Sequence, residues 1–274
     1  MSKSRYLLEN YTLSDLFTVV YVLIDDYLKA SQEVGNFRLP NSKQQKGSYA
    51  ELMSIAIVGD LLNQADTGLW YCLVKKEYKA LYPELPSESR YYRILNNLED
   101  IWADFALFIA SESHSLMYSI DSKPLPVCKF KRHKRPRAMT EATVGFSTQG
   151  AVYGFKLHAL KAEQGFIVKF AIAAAHEADV TVARALLDKD ERSITLGDRA
   201  YIGSDIYTPS RSNALNPNIW TRLLDSARKT IESVFSTLTR TKHIALGQRN
   251  SFRSIRAYTC RKIAAHNFAC FFIP

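Results

Sequence analysis

The stretch MYSIDSKPLPVCKFKRHKRPR, residues 117–137, decides how the chain is read. Its apolar start, Leu116–Ile120, has the length and texture of a buried strand and closes on one acid, Asp121. Six cations then crowd into nine positions: Lys129, Lys131, Arg132, Lys134, Arg135 and Arg137. A charged side chain seldom closes an apolar strand unless something pairs with it. Strand ends are also where open α/β sheets bind their ligands. The run therefore predicts a sheet domain with a functional carboxylate and a polyanion partner.

Charge along the chain supports that division. Residues 1–112 hold 11 Lys/Arg against 15 Asp/Glu, and residues 113–274 hold 25 against 12. A surplus confined to the second part points to nucleic acid, whose footprint is a basic patch. Cysteines 72, 128, 260 and 270 form no C-x-x-C pair, so neither a zinc site nor a disulfide framework is expected. MSKSRYLLENYT has no apolar core of a signal peptide, and Leu16–Ile24 and NFACFFIP are too short to span a bilayer. A cytosolic protein without membrane contact is expected.

The first part reads as all-α. Apolar residues recur at helical spacing over Leu13–Leu28, Tyr49–Leu62, Trp70–Leu81 and about Ser89 to Ile109, with Asn10-Tyr-Thr as a start signal. Trp70, Tyr71, Tyr91, Tyr92 and Trp102 fall on these helices and are expected to pack the core. Beyond residue 113 the pattern changes to strands at Ala151–Leu160 and Gly165–Ala174, joined by a hairpin turn. A helix at Ala178–Leu187, a strand at Ser193–Leu196 and a helix at Ala227–Leu238 follow. Strands first and then alternating elements predict an α/β mixed sheet with flanking helices, preceded by the all-α part. The predicted domains are 1–112 and 113–274.

Among the acids of the second part, three occupy unusual places. Asp121 closes the first strand and Asp198 the fourth, within ITLGDRAYIG. Glu232 borders the apolar stripe Ile231, Val234, Phe235 and Leu238 of a helix, with Arg228 one turn earlier. Should the two strands be neighbours, their ends lie about 5 Å apart and the helix can supply the third carboxylate. Such acids repel one another and raise their own pKa values. A hard divalent cation removes the conflict, and an all-oxygen set selects Mg²⁺ or Mn²⁺. Two such ions suit in-line phosphoryl transfer. The basic run, Arg228 and Lys156, on the same strand side as His158, are candidate phosphate contacts. His176-Glu177 with Asp179 sits where a helix begins, and Asp179 is expected to cap it.

The four segments SIDSKPLPVCKFKR (119–132), YGFKLH (153–158), LGDRAYIG (196–203) and RKTIESVFSTL (228–238) together resemble the DDE transposases of bacterial insertion sequences. The resemblance implies a ribonuclease H-like catalytic domain over 113–274 with Asp121, Asp198 and Glu232 as its triad. It implies a Mg²⁺- or Mn²⁺-dependent enzyme, with two ions, that cuts at transposon ends and joins the 3′-OH to target DNA. Its partners would be terminal inverted repeats, target DNA and a second copy of the chain, at the bacterial nucleoid. Residues 1–112 would recognise the ends or dimerise. A ribonuclease H-like nuclease that cuts without joining, and an inactive DNA-binding derivative, are the other readings. The 34-residue interval from Asp198 to Glu232 leaves room for little beyond a short strand near Asp205–Thr208.

Overall fold

The structure is a computed structural model that describes residues 3–31, 45–132, 139–147, 150–187, 193–213, 215, 217–244 and 250–272. The chain divides into two compact units. One joins residues 1–109, 241–243 and 253–274; the other joins 110–240 and 244–252. The C-terminal segment thus belongs with the helical unit, where a single cut at 112/113 does not put it.

The helical unit contains α1 (Lys3–Asn10), α2 (Leu13–Ala30), α3 (Tyr49–Leu61), α4 (Thr67–Glu77), α5 (Glu88–Asn97), nearly all of α6 (Glu99–Ala110) and, from Arg253, α9 (Phe252–Phe272). Polar side chains start these helices where the sequence places them. Thr12 and Asp15, and Ser48 and Glu51, form reciprocal capping boxes. Asp66 and Ser87 cap α4 and α5. The expected long helix at 89–109 breaks at Leu98, which ends α5. Helix α3 is buried from Leu52 to Leu61, so its apolar residues need no stripe. Helix α9 is buried almost throughout Ala257–Ala269 for the same reason, and periodicity alone does not find it. Trp70, Tyr71, Tyr91 and Trp102 are core residues as expected, and Tyr71 stacks on Tyr91 at 4.2 Å. Tyr92 is half-buried. Gly59 admits the indole of Trp70, since a Cβ there would lie 2.6 Å from its Nε1. At the centre, Asp60 meets Arg261 at 2.8 Å and Lys262 at 2.5 Å, and its carbonyl accepts from Lys242.

The second unit is built on five strands: β1 (Met117–Pro126), β2 (Thr143–Ser147), β3 (Gly150–Ala162), β4 (Ile167–Ala174) and β5 (Ile194–Leu196). β3 pairs antiparallel with β1, β2 and β4, and β1 pairs parallel with β5. A parallel bridge from Leu196 to Tyr207 extends the sheet, at the place expected for a short strand. The sheet is mixed and carries α7 (Asp179–Leu186) and α8 (Arg222–Arg240). Gly154, at φ +155°, lets β3 pass close to β1, because a Cβ would lie 2.3 Å from the Leu125 carbonyl oxygen.

Two helices settle which face each strand residue serves. Ser119 Oγ donates to the Ala227 carbonyl at 3.1 Å, and Lys161 Nζ to Thr230 Oγ1 at 3.0 Å. Helix α8 therefore covers the face to which Ser119 and Asp121 point. On the other face Ile120 and Leu160 pack with Ala183 of α7, Tyr201 and Ile206. One expectation is corrected: β1 does not end at Asp121. Its pairing with β5 stops at Ser119, but the strand runs on against β3 to Pro126. The antiparallel partner continues the ladder after the parallel one has turned away.

Candidate active site

Asp121 and Asp198 each lie two residues beyond the last parallel pair, Ser119 with Leu196. Asp121 is still on β1, where alternation puts it on the face that α8 covers, whereas Asp198 stands just past the end of β5. Asp198 leaves β5 through Gly197, and its Oδ1 accepts from the N–H of Ala200 at 2.8 Å, starting a 3₁₀ turn at Arg199–Tyr201. Asp121 Oδ1 accepts from the N–H of Ser122 at 2.8 Å. Helix α8 buries Ile231, Val234, Phe235 and Leu238, as the stripe predicts. Glu232 stands beside that stripe with its side chain 56% exposed.

Asp121 feels the other two acids. The Asp121 carboxyl is pushed up to about 6, first by burial and then by the charges of Asp198 and Glu232. The Ser122 N–H and the Arg228 guanidinium pull it back only in part. Arg228 is the cation of the group: it reaches Glu232 at 3.4 Å and Asp225 at 3.8 Å, with a largely buried side chain. Asp225 itself is held by Lys229 at 2.7 Å. Among the described residues, no three His, Cys, Asp or Glu side chains are gathered tightly enough to form a ready-made metal cluster. The donors nevertheless suit a hard cation: they are carboxylate oxygens, and one of them is strained by its neighbours. Glu232 is the exposed member and is engaged with Arg228.

Beside Arg228, which pairs with Glu232 and Asp225, the expected DNA contacts fall into three groups. Lys129, Lys131 and Arg132 are exposed, just after β1. Lys134, Arg135 and Arg137 lie outside the described residues. Lys156 is not free: its ammonium pairs with Asp179 at 2.9 Å and donates to the Glu177 carbonyl at 3.0 Å.

Asp179 corrects another expectation. The N-cap of α7 is Ala178, without a side-chain hydrogen bond, and Asp179 lies in the first turn. Its carboxylate turns to the strands instead, taking Lys156 on Oδ1 and the hydroxyl of Ser122 on Oδ2 at 3.3 Å. His158 is fully buried beside it, with Nε2 4.0 Å from Oδ1 and neither ring nitrogen hydrogen-bonded among the described residues. The neighbouring motif pieces His176 and Glu177 serve the backbone and Thr143 rather than a metal. The signal that would have found Asp179 is the period-two pair Lys156 and His158: a lysine on a buried strand face requires a counter-ion.

The sequence model of a protein family described as "Transposase DDE domain" matches residues 111–252 of the chain. No curated protein and no solved structure matches it. Among the described residues, no helix is long and apolar enough to cross a membrane.

Proposed function

The chain belongs to the transposase DDE domain family, and from that premise we propose that it is an insertion-sequence transposase whose triad is Asp121, Asp198 and Glu232. The observation that carries this reading is the place of Asp121 and Asp198, each two residues past the last parallel pair of β1 and β5, where burial and the charges of Asp198 and Glu232 push the Asp121 carboxyl up to about 6. A fold keeps such repulsion when the site is made for a cation. The sheet order, with β1 central and parallel to β5, supports the ribonuclease H-like form of the domain.

Asp121, Asp198 and Glu232 would hold Mg²⁺ or Mn²⁺, as two ions. When bound, such ions activate a water or 3′-hydroxyl and stabilise the leaving oxygen of an in-line phosphoryl transfer. The protein's own residues do the rest. Ser122 and Ala200 fix one oxygen each of Asp121 and Asp198. Glu232 turns from Arg228 toward the two aspartates, and the released guanidinium takes a DNA phosphate. Lys129, Lys131 and Arg132, with Lys134, Arg135 and Arg137, hold the DNA backbone. Water attacks the phosphodiester at the element's end and the P–O3′ bond breaks to free a 3′-OH, which then attacks a target phosphodiester at the nucleoid and displaces that linkage's own 3′-oxygen. The helical unit recognises the terminal inverted repeats or dimerises, so that a homodimer holds both ends.

The test is nicking of a supercoiled plasmid in Mg²⁺ or Mn²⁺, followed by joining of a labelled 3′-OH oligonucleotide taken from DNA flanking the coding sequence. Wild type should nick and join, and Asp198→Asn should lose at least about a hundredfold in rate. Nicking without joining favours the ribonuclease H-like nuclease. A wild type that nicks no better than Asp198→Asn contradicts catalysis by these acids.

A further inference from the structure

The face of β1 opposite the three acids carries a charged group that the proposed reaction does not use. Strand alternation sends Asp121 to one face and Ser122 to the other. Ser122 lies directly across the ladder from His158, and Lys156 is paired with Pro124 on that same face. Into this face α7 brings Asp179, whose two oxygens divide between Lys156 and Ser122. The side chains of Lys156 and Asp179 are only 15% and 20% exposed, so the pair is anchored rather than solvated. Burial lowers the pKa of His158 to about 4, which leaves its ring neutral near pH 7. Among the described residues, the cation that balances Asp179 is therefore Lys156.

One residue joins the two faces. The Ser122 hydroxyl donates to Asp179, and its backbone N–H donates to Asp121 Oδ1. With β1 running on past Asp121, nothing at a strand end fixes the carboxylate; the ladder and Ser122 do. We propose that Asp179 is a positioning residue for Asp121: anchored by Lys156, it holds Ser122, and Ser122 aims the Asp121 carboxylate toward the cation it would carry. This inference rests on the transposase reading. It assigns Lys156 to the scaffold behind the site rather than to DNA.

The test uses the full-length protein with Asp179→Asn, Ser122→Ala, the double variant and Asp121→Asn. Mn²⁺ affinity is read by isothermal titration calorimetry without DNA, DNA affinity in EDTA, and nicking separately. Asp179→Asn and Ser122→Ala should each weaken Mn²⁺ binding by roughly tenfold, as removal of a partner behind a metal ligand does. Acting through one path, the double variant should be no weaker than Asp179→Asn alone. DNA affinity in EDTA should stay within about twofold of wild type, because none of these side chains grips a phosphate. Effects that multiply in the double variant overturn the proposal, as does wild-type Mn²⁺ affinity in Ser122→Ala, which holds even where Asp179→Asn fails to fold. Loss of Mn²⁺ binding in Asp121→Asn with none in the other variants sinks this inference alone. Wild-type Mn²⁺ binding and nicking in Asp121→Asn sinks the transposase site itself.

Discussion

Asp60 is fully buried and Asp121 partly buried, one in each unit, and the chain treats them in opposite ways. Burial pushes the Asp60 carboxyl up, but Arg261, Lys262 and Lys242 outweigh it and hold the group below the ordinary carboxylate range. Around Asp121 burial is reinforced by two more acids, and the group rises to about 6. The helical unit supplies as many as three cations to one carboxylate, while the sheet unit places three carboxylates near one arginine. A sequence that neutralises Asp60 so fully leaves Asp121 only partly compensated, by the Ser122 N–H and Arg228, and that difference is what the proposed cation site would account for.

The sharpest way to break the comparison is to make the same substitution in both places. Asp60→Asn strands buried cations and should destabilise the protein by about 3–5 kcal/mol in urea unfolding at pH 7. The folded pKa of Asp60 is depressed, so its contribution is present above the ordinary carboxylate range and is lost as pH falls through the folded value. Asp121→Asn should do the reverse. A carboxyl raised from 3.8 to about 6 weakens the folded state by at most about 3 kcal/mol above that pH. The penalty vanishes below about pH 4, where folded and unfolded forms are both protonated. In EDTA, Asp121→Asn should therefore raise the urea midpoint at pH 8 and leave it unchanged at pH 3.5. Destabilisation at pH 8 would mean that Asp121 is a structural group like Asp60.

The smallest expected effect concerns the basic run. Replacing Lys129, Lys131 and Arg132 with Ala should lower the slope of log affinity against log salt for duplex DNA by roughly 3, near 0.9 for each phosphate no longer neutralised. An unchanged slope would place the DNA elsewhere on the protein.

The split between the units also explains what is legible in the sequence. The stripe beside Glu232 is readable because α8 is buried on one side only, which leaves a period in the sequence, and the strand leading to Asp198 is readable as a short apolar run ending at Gly197. Helix α9 leaves no period, since Ala257–Ala269 is covered on every side, and β2 is five residues long with a glycine in its middle. Asp121, Asp198 and Glu232 stand out in the sequence by their placement, but the continuation of β1 past Asp121 does not. That depends on β3, whose pairing runs from Tyr118 to Pro126. Asp179 reads as a cap in the sequence because its true partners, Lys156 and Ser122, are 23 and 57 residues away. The spacing around Asp179 itself carries no trace of them; the signal lies on the strand, in Lys156 and His158.

The most direct measurement is Mn²⁺ binding by calorimetry to the metal-free wild type, Asp121→Asn and Asp198→Asn across pH 5 to 8. Wild type should bind at pH 7.5 and weaken by about tenfold per pH unit below 6, as Asp121 takes its proton. Both variants should bind at least about a hundredfold more weakly. Equal affinity in wild type and the two variants, or no saturable binding by wild type, would contradict the claim that these acids form a cation site.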